Sequence, residues 1–130
     1  MMRSDELQHC LEGPLLWADP AAATLASKDF ENAEKYLKDA REKKDAIDQL
    51  NTAYLSMFCA AQALLHSAYY KAAGFRCVVT VLDESYVKKG KLEKTQVEHL
   101  VRVQKLEGPP AENVELAAGF LEAARKALRK

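Results

Sequence analysis

An all-α, up-and-down bundle of four to five helices is what this sequence predicts, on three observations. Residues 45–73 contain neither glycine nor proline, a length well beyond an ordinary strand and natural for one long helix. Four separate stretches repeat apolar residues at intervals of three and four, the period of one helical face. Only one run is dominated by β-branched residues, and a strand without a partner cannot bond its backbone.

In chain order, residues 1–27 read as an N-terminal arm and 28–130 as the helical bundle. The arm has a short helical pattern to Leu11, then the breakers Gly13, Pro14, Asp19 and Pro20 around Leu15, Leu16 and Trp17. Trp17 is expected to pack the arm onto the bundle. Ser27 or Asp29 can cap the next helix, in which Phe30, Ala33, Leu37 and Ala40 share one face to about Lys44.

The long helix follows, with Ile47, Leu50, Tyr54, Met57, Phe58, Ala61, Leu65 and Ala68 as its apolar stripe. Leu55, Cys59, Ala63 and Leu64 widen that stripe until the middle turns are apolar on most sides, the pattern of a helix wrapped by neighbours. Phe58 should therefore be core, and Phe58→Ala should cost on the order of 3 to 5 kcal/mol. Gly74 is placed as the cap that ends this helix.

Cys77 to Leu82 favours a strand by propensity. With no second strand-like run to pair with, a short buried helix through about Val87, ended by Gly90, is the better expectation. Val97, Leu100, Val101 and Leu106 then mark a helix over 93–107, stopped by Gly108, Pro109 and Pro110. Val114, Ala117, Leu121, Ala124 and Leu128 mark the last one, whose basic end suits the helix dipole.

Composition narrows the function classes. In 130 residues, nineteen basic and nineteen acidic side chains cancel, so no broad positive field is available to hold a nucleic-acid backbone. Cys10, Cys59 and Cys77 are odd in number and widely spaced, which predicts reduced thiols and a cytoplasmic setting. No apolar run approaches the roughly 20 residues of a membrane span, and the first twelve residues lack the apolar core of an export signal. His9 beside Cys10, and Cys59 seven residues before His66, are each too few ligands for a zinc site. Five scattered glycines form no phosphate loop and no nucleophile elbow. No catalytic residue, metal or cofactor is expected.

Two stretches carry a family resemblance. Residues 51–65, NTAYLSMFCAAQALL, hold a tyrosine, a Met-Phe pair and an alanine-rich run in one order; residues 86–94, YVKKGKLEK, form a basic loop ahead of a helix. Together with the helix over 30–44 they resemble the HEPN superfamily, with 51–65 similar to its second helix and 86–94 to the loop before its fourth. The resemblance spans roughly 28–128. It implies a helical bundle that forms homodimers and pairs with nucleotidyltransferase-like proteins in toxin-antitoxin systems, or acts as a metal-independent ribonuclease.

The family's ribonucleases place a histidine four to six residues after an arginine, a pairing that suits phosphate binding and proton transfer. Here Arg102 is followed by Val103, Gln104, Lys105, Leu106, Glu107 and Gly108, with no histidine. Arg3 and His9 have a fitting spacing, but in the arm. The resemblance therefore implies a non-catalytic module that binds a nucleotide or a partner protein. His99, Arg102 and Lys105, three apart on one helix, with Arg76, are the candidate contacts. The alternative is a divergent endoribonuclease using His99 with Arg102 or Lys105 in reversed order.

Overall fold

The computed structural model describes residues 5–129, and Arg3 lies outside them. The described residues are all-α apart from one pair of three-residue strands. In order the elements are α1 (Asp5–Glu12), β1 (Leu16–Ala18), a 3₁₀ turn (Ala22–Leu25), α2 (Ala26–Glu42), α3 (Ala46–Ser67), β2 (Tyr70–Ala72), α4 (Phe75–Leu82), a π turn (Asp83–Val87), α5 (Lys94–Gln104) and α6 (Pro110–Ala127).

The bundle is organised around α3. Asp45 caps it, its carboxylate accepting from the Asp48 N–H at 3.0 Å, which satisfies one of the first-turn donors. Small buried residues on α3 (Ala53, Ala60, Ala61, Ala63) face Ala33 and Ala40 of α2 and Ala117 and Ala124 of α6, all with no solvent-exposed surface. Alanines at the contacts let helix backbones approach closely. The fit is reinforced by the buried Ser56 hydroxyl, which donates to the Ala33 carbonyl at 2.7 Å. Met57, Leu64, Leu65, Leu82, Leu100, Val103 and Phe120 fill the remaining core.

The long helix is shorter than expected. It stops at Ser67 instead of running to Gly74; Tyr69 takes a positive φ of 68° and the chain turns back as β2. The reason is a strand partner that periodicity hid: Leu16–Ala18 pairs antiparallel with Tyr70–Ala72, with Leu16 opposite Ala72 and Ala18 opposite Tyr70. Flanking bonds from Asp19 N–H to the Tyr69 carbonyl (2.7 Å) and from Ala73 N–H to the Leu15 carbonyl (2.8 Å) extend the ladder. Pairing within the chain thus does occur, though not at Cys77–Leu82, which is helical as expected.

The strand also reverses the role given to Trp17. Leu16 is buried, 1% exposed, and its neighbour Trp17 turns outward at 45%. Neither Ser27 nor Asp29 caps α2, which is entered directly from the 3₁₀ turn without a side-chain cap. Asp29 instead meets His66, Oδ2 to Nδ1 at 2.6 Å, joining the start of α2 to the end of α3.

The expectation of three reduced thiols fails for two of them. Cys10 and Cys77 form a disulfide across 67 residues, and Cys59 is the free cysteine. Sequence spacing shows no such pair, because the contact exists only once α1 lies on α4. No helix among the described residues is long and apolar enough to cross a membrane.

Candidate functional site

The apolar stripe of α3 is wider than its neighbours can cover. Ile47 is 68% exposed and Leu55 40%. With exposed Asn51 and half-buried Phe58 and Gln62 they form a strip along α3 at intervals of four, four, three and four. Tyr54 flanks it, its ring 5.7 Å from Phe58 and 6.4 Å from Phe75 at the start of α4. Burial pushes the Tyr54 phenol pKa up, so the group stays a neutral hydroxyl. No charged side chain interrupts the strip from Asn51 to Gln62. Periodicity had put Ile47, Leu55 and Phe58 in the core, since spacing alone does not say which side of a broad stripe lacks a neighbour.

Cys59 lies next to this strip. Its thiol pKa is raised, first by burial and then by the Asp29 carboxylate. A raised pKa lowers the thiolate fraction and the reactivity that goes with it.

The four residues singled out as binding contacts are not gathered at one place. Arg76 is in the first turn of α4, with its guanidinium 3.9 Å from Glu6 of α1. His99, Arg102 and Lys105 belong to α5 and its C-terminal cap. Arg102 forms an ion pair with Glu112 of α6, Nη2 to Oε1 at 2.9 Å. The same guanidinium lies over Gly108, so it clamps the α5–α6 turn and its charge is already matched. His99 is half-buried and Lys105 exposed.

A second surface feature is a concavity of about 900 Å³ between the 88–93 loop, the first turn of α5 and the C-terminal half of α6. The basic loop noted in the sequence forms one wall. Lys94 reaches both carboxylate oxygens of Asp83 at 3.0 Å, and Lys126 lies 3.8 Å from Glu122. Two of the three lysines there thus have acidic partners, and Lys91 extends into solvent. Gln96 Oε1 is buried without a hydrogen-bond partner. The lining is polar and close to neutral, a weak lure for a phosphate. Among the described residues no group of three or more His, Cys, Asp and Glu side chains could hold a metal ion.

Comparison of the chain with protein-family models, with curated proteins and with solved structures finds no match.

Proposed function

We propose that this protein is a non-catalytic, HEPN-like interaction module that pairs with a second copy of itself through the open strip of α3. The observation that carries the reading is that strip: Ile47, Leu55 and Phe58, with Tyr54, leave apolar surface uncovered on the helix around which the bundle is built. Contiguous exposed apolar surface marks interaction sites, and interface centres are rich in aromatics and poor in charge. An uncharged strip on a helix suits an isologous contact, the commonest form of assembly. The HEPN resemblance of residues 51–65, which include most of the strip, points the same way.

The partner in this reading is, besides the second copy, a nucleotidyltransferase-like protein or a nucleotide, as the resemblance implies, within a toxin-antitoxin-type system in the cytoplasm. The test is molar mass by light scattering after size exclusion. The parent should run as a dimer, and Ile47→Glu with Leu55→Glu as a monomer of unchanged helicity. A parent that remains monomeric at tens of micromolar, as judged against typical transient affinities, would overturn the reading. Calorimetric titration with nucleotides, comparing the parent with Arg102→Ala, Lys105→Ala, tests the ligand arm. Intact binding in the double variant would remove that ridge as the contact.

A further inference from the structure

The Cys10–Cys77 bond cross-links the N-terminal helix to α4, and we propose that it is a reducible latch: opening it frees α1 from α4 while the rest of the fold stands. The structure supports each part. α1 has eight residues, of which Leu7 and Cys10 are buried, and a helix that short is not stable on its own. Its Glu6 meets Arg76 at 3.9 Å, both side chains being largely exposed, a contact that contributes little. Beyond α1 the chain is anchored independently, since Leu16 is buried and β1 is paired with β2. Gly13 and Pro14 lie between these two regions and form the natural hinge. Release would therefore be confined to about residues 5–14.

The bond is also placed to react. Both cysteines line a recess of about 480 Å³ with Asp5, Glu6, His9, Leu15, Arg76 and Thr80, so a small reductant has a way in. Cys77 is the third residue of α4, whose first turn carries the positive end of the helix dipole and receives no side-chain cap. The dipole at that end favours Cys77 over Cys10 as the leaving sulfur, so the attack is written at Cys10.

With a small dithiol as reductant, its thiolate attacks Cys10 Sγ, a mixed disulfide forms, and Cys77 leaves as a thiolate that takes up a proton. The second thiol of the reductant, as thiolate, then displaces Cys10, and the reductant closes to its own disulfide. Two electrons and two protons have passed to the protein. In a reducing compartment the latch would rest open, and in an oxidising one closed.

The test uses the full chain and dithiothreitol. Native alkylation with N-ethylmaleimide, read by mass, should label at most Cys59 before reduction, and Cys10 and Cys77 as well afterwards. Amide exchange should show residues 5–12 losing protection by at least tenfold on reduction, with 46–67 unchanged. Cys10→Ser should show the low α1 protection with or without dithiothreitol, and if that variant does not fold, the reduced parent decides alone. Three results would overturn the proposal: thiols free after treatment with oxidised glutathione, a bond that resists millimolar dithiothreitol in the native state, or reduction that leaves α1 protected or unfolds the whole chain. The last would make the bond a structural staple.

Discussion

Tyr86 shows how one side chain ties a loop to the core. It is buried, and its hydroxyl donates to the Leu64 carbonyl at 2.5 Å, so the residue that opens the 86–94 loop is fastened to the last turns of α3. Burial pushes its phenol from the ordinary 10.0 up to about 12. Because the folded value lies above the unfolded one, the stabilisation is fully present below pH 10.0 and is lost as pH rises towards about 12. Denaturant midpoints across that range should fall more steeply for the parent than for Tyr86→Phe. At neutral pH the same substitution should cost about 0.5 to 1.5 kcal/mol through the lost hydrogen bond. Equal alkaline slopes in the two proteins would show that Tyr86 does not titrate with unfolding. The sequence marked this tyrosine only as part of a family-like string, since a bond across 22 residues leaves no periodic trace.

Among the elements, the β1–β2 pair decides where the longest helix ends. Leu16 points into the core and Trp17 away from it. Leu16→Ala should therefore cost about 2 to 5 kcal/mol and Trp17→Ala no more than about 1 kcal/mol, measured by thermal or denaturant unfolding. The reverse order would mean that Trp17 is the anchor after all. The turn between α5 and α6 makes a comparable demand. Gly108 has φ of +95° and Leu106 φ of 59°, so the sharp reversal uses two left-handed residues in three. Gly108→Ala should destabilise the protein by roughly 1 kcal/mol or more, as an alanine is strained there. Helix endings of this kind were legible at Gly108, where glycine and two prolines coincide. At Ser67 they were not, since no breaker stands there and the stop depends on a strand some fifty residues earlier.

At the scale of the molecule, α3 is central without being enclosed. Met57 has no exposed surface, whereas its neighbour Phe58 is half-buried on the open strip. Met57→Ala should thus cost about 2 to 5 kcal/mol. Phe58→Ala should cost less than Met57→Ala in dilute monomer and more than that when the protein is concentrated enough to self-associate, since burial in an interface adds to stability by mass action. A Phe58 cost that is large and independent of concentration would place it in the core, as the sequence pattern first indicated.

The sequence by itself determined the all-α class and the positions of most helices, because those depend on local periodicity and on breakers such as Gly108-Pro109-Pro110. At Cys77–Leu82 local propensity favoured a strand, and the helix was expected only for want of a second strand-like run, although β1 and β2 do pair elsewhere. Arg76, His99, Arg102 and Lys105 were singled out by spacing, which says nothing of their surroundings: Arg102 is matched by Glu112, and Arg76 lies beside Glu6 of α1. Only the tertiary structure decided where α3 stops, which side of it faces outward, and that Cys10 meets Cys77. Each of these is a relation between segments far apart in the chain, and a stripe of apolar residues around a helix specifies how much surface must be covered, never what lies against it.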